Sequence, residues 1–296
     1  MIAIEQLRYV RLGTADLAAA SHFAQCILGL ELVEASDDQA TFRSDFRDHT
    51  LAFVKDATRA QSIGLEVRDP EALERAADAL TAQGYDIMPG SLEAAAKRKV
   101  KSFLAFRDEI GVVIELVVRP LHSGWRYFPS RDAGVTGLEA VAIRSSAIAR
   151  TEMLWTKVLG LRLSDWIGDA TYLRLDAMHH RVALHPSTSD GVLAVEFGVE
   201  SVDQLMQASY FLQDAQVRIV HGPGRRPASG QMFVTFAGPD GVLFSYVAEG
   251  QAIKDGAHRP RQFPRRAQSF CTWGSQSEVP EFHCDDGNSK PKGARS

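Results

Sequence analysis

By residue type, His258, Cys271, His283 and Cys284 could hold zinc, because imidazole and thiolate are its usual ligands. Their spacing fits no compact zinc motif, so they read as ordinary tail residues. Cys26 brings the cysteines to three, too few and too scattered for a disulfide framework. Other chemistry is open to glutamate, histidine and arginine. A carboxylate beside an imidazole does general acid/base work, and a guanidinium beside both grips an anion. Glu139, His180, Glu196 and Arg226 are of these types. Which of them meet depends on the fold. His22, His49, His185 and His221 carry no comparable signal.

The fold is legible because the chain repeats itself. Leu7-Arg8-Tyr9-Val10 opens a stretch ending Leu28-Gly29-Leu30, and Leu138-Glu139-Ala140-Val141 opens one ending Leu159-Gly160-Leu161, 131 residues on. His49 falls opposite His180 and Arg8 opposite Glu139 at that offset. Gly111-Val112-Val113-Ile114-Glu115 answers Gly241-Val242-Leu243-Phe244-Ser245 at 130. A period this long is a duplicated domain-sized module. Residues 1–120 form the first module, 121–134 a linker, 135–250 the second module and 251–296 a tail whose last dozen residues read as disordered.

Each module reads as strand, helix and strands, then a second such set. Leu7–Gly13 alternates as a strand. Thr14 or Asp16 can cap a helix over Leu17–Leu28, and Gly29 suits its C-terminal turn. Pro70 opens a helix that stops before Gly84. Strands are predicted near 40–43, 50–54, 62–67, 102–106 and 112–118. The second module repeats this, with strands near 138–143, 171–175, 181–184, 193–199, 232–236 and 242–247, and helices over 147–159 and 202–214. Trp125, Tyr127 and Phe128 are predicted to pack the linker.

Composition sets the outer limits. A net charge of −4 and 45% hydrophobic residues suit a globular chain rather than a nucleic-acid binder. The tail arginines fit acidic surface better than nucleic acid. No apolar run is long enough for a membrane span, and no signal peptide is legible. A cytoplasmic protein is expected.

The chain resembles the vicinal oxygen chelate superfamily (glyoxalase, bleomycin resistance, extradiol dioxygenase), and within it the two-module type I extradiol dioxygenases. The resemblance covers residues 5–250 and rests on ordered motifs. These are the two helices ending Leu-Gly-Leu, Gly64-Leu65-Glu66-Val67-Arg68-Asp69, the stretch Ser91 to Val100, and His179-His180-Arg181-Val182-Ala183. Gly222-Pro223-Gly224-Arg225-Arg226 and Pro239-Asp240-Gly241 complete them. It implies an α+β fold of two tandem modules, each of two βαβββ units curled into an open cup.

The resemblance also implies an Fe(II) or Mn(II) site in the second cup, held by two histidines and a glutamate. Those positions fall on Glu139, Ala194 and Ser245. The family's tyrosine falls on Thr235. Only its acid/base histidine is kept, as His180. If Ala194 points into the cup, strand alternation sends Glu196 there too. The expectation is therefore a cup with His180, Glu139 and Glu196 as catalytic residues, Arg226, Thr235, Ser245 and His179 binding substrate, and no metal cofactor. Its ligand would be a small anionic compound derived from an aromatic ring. The chemistry would be metal-independent acid/base work such as isomerisation, hydrolysis or decarboxylation, in a homo-oligomer. Three alternatives stay open. Arg226 or Arg225 could merely neutralise the glutamates of a defunct cup. Glu139, Glu196 and His180 could form a rebuilt Fe(II) or Mn(II) site of a true dioxygenase. The chain could be a non-catalytic binding or structural subunit. Glu115, facing the first cup, reads as structural.

Overall fold

The computed structural model describes residues 1–253 and 258–283. The predicted disorder of the last dozen residues, and Cys284, lie outside the described residues. The first module holds β1 (Gln6–Thr14), α1 (Leu17–His22), β2 (Glu31–Ala35), β3 (Gln39–Arg43) and β4 (Leu51–Lys55). Its second unit holds β5 (Gln61–Val67), α2 (Pro70–Ala82), β6 (Met88–Pro89), α3 (Leu92–Lys97), β7 (Ser102–Arg107) and β8 (Val113–Val118). The second module holds β9 (Val135–Ser145), α4 (Ile148–Met153), β10 (Arg162–Ile167), β11 (Ala170–Arg174) and β12 (Val182–Pro186). It continues with β13 (Gly191–Val199), α5 (Val202–Asp214), β14 (Ile219–Arg225), β15 (Met232–Ala237) and β16 (Leu243–Ala248). The tail adds β17 (Arg261–Phe263) and the short α6 (Ala267–Phe270).

The two sheets run in the same order. The first is β2-β3-β4-β1-β5-β8-β7-β6, and the second is β10-β11-β12-β9-β13-β16-β15-β14 with β17 added beside β10. Each is two βαβββ units joined antiparallel through their first strands, β1 on β5 and β9 on β13. This is the α+β arrangement of two tandem modules. The likeness reaches single residues. The β1–β5 ladder slips between Leu7 and Tyr9, leaving Arg8 as the extra residue of a bulge. The β9–β13 ladder slips at the same place and leaves Glu139. In both modules the first helix loosens into a π turn, Phe23–Ile27 and Leu154–Val158, before its Leu-Gly-Leu exit.

Local sequence accounts for the elements. Asp16 and Asp69 accept the amide hydrogens of Ala19 and Ala72, capping α1 and α2, and Ser201 caps α5 through Gln204. Gly29 and Gly160 leave their helices at φ +75, a conformation that disfavours a side chain. Apolar faces of both sheets and the four long-helix segments meet in one continuous core that includes Trp155, Leu28, Phe42, Phe236 and Phe244. The opposite, concave faces form the cups. Among the linker aromatics, Tyr127 is half-buried, but Trp125 and Phe128 stay 82% and 64% exposed. Short polar contacts, such as Ser130 to the Leu30 carbonyl, fix this segment instead of an aromatic cluster.

In the first cup the Tyr9 ring lies flat over Gly64, where a Cβ would come within 2.4 Å of the ring. Gly64→Ala is therefore expected to cost about 1–3 kcal/mol of unfolding free energy through overpacking. Urea denaturation measures this; an unchanged midpoint would show that the ring is free to move aside.

Candidate active site in the second cup

Strands β9, β11, β12, β13, β14 and β15, with the turns beside them, bring one set of side chains together. His180, Glu196, Arg226, Tyr172, His185 and His221 line an internal cavity. Its volume, about 20 Å³, holds roughly one water molecule. Ala142 of β9 and Ala183 of β12 complete the floor. Phe270 and Phe282 of the tail also line the cavity.

Arg226 and Glu196 form a forked ion pair. Nη1 donates to Oε2 at 2.9 Å and Nη2 to Oε1 at 2.6 Å. Nη1 also donates to Gln231 Oε1 at 2.7 Å, and the guanidinium lies 4.8 Å from the Phe233 ring centre. Burial pushes the Glu196 carboxyl up, but Arg226 outweighs it and holds it well below the usual carboxylate range. Burial alone would lower the Arg226 guanidinium; Glu196 raises it instead.

His180 is placed by a chain of hydrogen bonds. The buried Asp165 of β10 receives Arg261 of the tail at 2.6 Å, and His179 Nε2 lies 2.8 Å from its Oδ2. Burial raises the Asp165 carboxyl, yet His179 and Arg261 bring it down to about 2, so it is an anion. Burial lowers His179 to about 4, so that ring is neutral near pH 7. His179 therefore donates from Nε2 to Asp165, and its Nδ1 is left as an acceptor. His180 Nδ1, 3.2 Å from His179 Nδ1, must be the donor of that pair. In neutral His180 the lone pair then sits on Nε2. That atom is buried without a hydrogen-bond partner, 3.7 Å from Glu196 Oε2.

Not every expected residue arrives. Glu139 is the bulged residue of β9, pairs with Arg181 at 2.9 Å and does not line the cavity. The β9 residue beside Glu196 is Ala140. The expected grouping of Glu139 with His180 and Glu196, as acid/base pair or as metal ligands, is corrected on this ground. Thr235 and Ser245 do face inward and hydrogen-bond each other at 2.8 Å, Ser245 standing next to Glu196 in register. His179 stands behind His180 rather than in the cavity lining. His185 and His221, set aside from the sequence, line the cavity. Burial lowers them to about 3 and about 4, with Arg226 adding to it. Asp165, Tyr172 and the tail aromatics were also missed. Tyr172 and His185 share the face of Ala183, a cross-strand register that no motif in the sequence marks. His258, Cys271 and His283 do not converge: among the described residues no group of three or more His, Cys, Asp or Glu could hold a metal ion. His258 instead donates to the Ser164 carbonyl at 2.7 Å.

Comparison with known proteins follows the same outline. The family model for the Glyoxalase/Bleomycin resistance protein/Dioxygenase superfamily matches residues 6–116 and 137–246, once per module. The chain belongs to this superfamily. Among its relatives, the biphenyl-2,3-diol 1,2-dioxygenase of Pseudomonas sp. strain KKS102 is 30% identical over 62% of this chain and 68% of its own length. The 3-methylcatechol 2,3-dioxygenase of Pseudomonas putida is 29% identical over 62% and 68%. Among solved structures, BphC, a halotolerant catechol dioxygenase, superposes with a TM-score of 0.86 at 21% identity, covering 95% of this chain and 97% of its own. The Mn(II)-bound glyoxalase of Novosphingobium aromaticivorans gives 0.85 at 22%, covering 95% and 94%.

These superfamily relatives overturn the expectation of no metal cofactor. They are ring-cleaving dioxygenases and a Mn(II)-bound protein, and they point to a metal. The side chains at the positions implied by resemblance do not match the usual donor set. Glu139 pairs with Arg181, Ala194 offers no donor, and the Ser245 hydroxyl is bonded to Thr235. No step below is routed through a metal.

The buried charges make two expectations quantitative. Glu196→Gln leaves Arg226 buried and unpaired and should cost about 3–5 kcal/mol. The double change Glu196→Leu with Arg226→Met should cost less than that single change, measured by chemical denaturation. Separately, His179, His185 and His221 have folded pKa values below the ordinary 6.5. The unfolded chain binds protons that these rings refuse, so stability is full above 6.5 and falls as pH drops towards 4. His185→Phe should remove roughly 2 kcal/mol of the loss between pH 6.5 and 5; an unaltered slope would contradict the assignment.

Proposed function

We propose that the second cup is the working site of an extradiol-dioxygenase-like protein of aromatic catabolism. Its ligand is a small compound derived from an aromatic ring, and His180 is its proton acceptor. The observation that carries this reading is the unpartnered Nε2 of His180, oriented through His179 by Asp165 and directed at a cup that already holds an ion pair. The relatives named for biphenyl-diol and methylcatechol support the substrate class. A ring hydroxyl would give its proton to Nε2. The imidazolium so formed would lie beside Glu196, and the substrate oxyanion beside Arg226. Three of the five N–H donors of Arg226 are engaged, which leaves two for such an anion. Thr235 and Ser245 offer hydroxyls on the same wall.

A cavity of about 20 Å³ does not admit a ring. Entry therefore requires Phe270 and Phe282 to swing out with the tail. The closed, charge-balanced cup favours a second reading as well, a non-catalytic binding or structural subunit. A cytoplasmic homo-oligomer belongs to this proposal, and the free thiols of Cys26 and Cys271 suit a reducing compartment. Among the described residues no helix is long and apolar enough to cross a membrane.

Calorimetry and turnover assays with biphenyl-2,3-diol as the first probe separate the readings. His180→Asn is expected to keep affinity within about threefold and to lower turnover by roughly 10²-fold or more, since a general base acts mainly in the transition state. Phe282→Ala should speed association. Binding without turnover in the wild type would favour the non-catalytic subunit. Turnover unaffected by His180→Asn would sink the assigned base.

A further inference from the structure

The first cup carries a charge that the second does not. In the first, Glu115 of β8 receives both arms of Arg98 at 2.7 Å and the Tyr9 hydroxyl at 2.6 Å. Those three contacts commit the carboxylate to Arg98 and Tyr9. A second buried guanidinium, Arg11 of β1, has no carboxylate within ion-pair distance among the described residues, although only 7% of it is exposed. The nearby Asp38 is taken by Lys97 at 2.7 Å. Arg11, Arg98 and Glu115 together leave one positive charge inside.

The register shows where that charge points. Arg11, Ala52 and Thr41 stand side by side across β1, β4 and β3. Their counterparts at the 131-residue offset, Ala142, Ala183 and Tyr172, stand side by side in the same order and line the second cavity. Arg11 and Thr41 therefore face the first cup, with only the Ala52 methyl between them. Arg11 reaches across to β3, where Nη2 donates to Gln39 Oε1 at 3.2 Å. Its Nη1 and the Thr41 Oγ1 are both buried with no hydrogen-bond partner. Gln39 and Thr41 lie two residues apart, on one face of β3. His49 Nε2 is also without a partner. Because Nδ1 donates to Asp48, the neutral ring presents a lone pair there and does not serve an anion.

We propose that the first cup binds a small inorganic monoanion, of halide size, between Arg11 Nη1 and Thr41 Oγ1. A buried cation without a counter-charge is costly, and so is each orphaned donor. One monoanion removes both costs, accepting from the guanidinium and the hydroxyl together. This site is independent of the second cup and of any reaction there. It ties the stability of the first module to the anion in solution.

Crystals of the full chain soaked in sodium bromide, with anomalous data collected at the bromine edge, test the site directly. The expected result is a peak within about 3.5 Å of Arg11 Nη1 and the Thr41 hydroxyl. Thermal unfolding at constant ionic strength, exchanging bulky methanesulfonate for bromide, gives a second readout. The wild type should show a saturable rise in Tm with bromide. Arg11→Met should show none, and Thr41→Val a weakened one. Should Arg11→Met fail to fold, Thr41→Val and the anomalous map still decide. A water molecule alone at that place, or equal bromide responses in wild type and Thr41→Val, would overturn the proposal.

Discussion

The buried fork between Arg226 and Glu196 is the constraint around which the second cup is arranged. Taking a carboxylate out of water costs several kcal/mol unless a cation and further hydrogen bonds meet it. Arg226 meets it from the end of β14, held by Gln231 and stacked near Phe233. Burial lowers His185 and His221, the Arg226 charge adds to it, and Glu196 is left beside His180. The first cup reaches the same solution with different strands. There the forked arginine is Arg98, 4.4 Å from the Phe103 ring centre, and the carboxylate is Glu115 on β8. In register, Tyr9, Gly64 and Glu115 of one cup correspond to Ala140, Glu196 and Ser245 of the other. The carboxylate has moved one strand across, and the large ring over a glycine has become an alanine beside a glutamate. Steric fit and charge exchange together: Tyr9 could not lie over a residue with a side chain, so Glu196 requires a small neighbour on β9.

A second buried carboxylate, Asp165, joins the tail to the acid/base candidate. It takes Arg261 from the tail and His179 from the strand turn before β12. Anchoring the tail and fixing the tautomer of His180 are thus done by one group. Arg261 also donates to the Ala228 carbonyl at 2.6 Å, and Phe282 packs 5.2 Å from the His185 ring centre. A tail that lifts would remove the cation from Asp165 and open the cavity in a single motion. The covering of β10 by β17 has no equivalent in the first sheet, where β2 remains an open edge with Leu32 and Val33 partly exposed.

Much of this fold was legible because it is written twice. The Leu-Gly-Leu exits, the capped helices and the core strands β1, β5, β8 and their copies announce themselves through alternation and glycine placement. The strands that follow the first helices did not. β2 exposes four of its five residues, so no buried alternation marks it, and β10 derives its burial from a tail remote in sequence. The site was half legible. Glu196 follows from alternation along its strand, whereas His180 and Arg226 are placed by the family resemblance. Glu139, placed by alignment with the family's ligand position, falls on the extra residue of a bulge and pairs with Arg181, a register slip that alignment does not reveal. Asp165 was invisible because its partners, His179 and Arg261, lie 14 and 96 residues away.

The superfamily membership and the donor chemistry of the second cup pull in different directions, and the charges say how both hold. A facial set of two imidazoles and one carboxylate carries a net charge of −1 that a divalent ion over-neutralises. The row Ala140, Glu196 and Ser245 holds one carboxylate, and Arg226 pairs with it. A guanidinium cannot release its proton at any working pH, nor can it present open coordination positions. What it offers is fixed positive charge with donors in a plane. Arg226 thus gives the cup a fixed positive charge that is part of the polypeptide, positioned by one glutamate and one glutamine. A ligand of this cup meets a guanidinium already forked to Glu196 with two N–H donors left over, an arrangement that suits an oxyanion formed in place over a strongly hydrated anion arriving from solution.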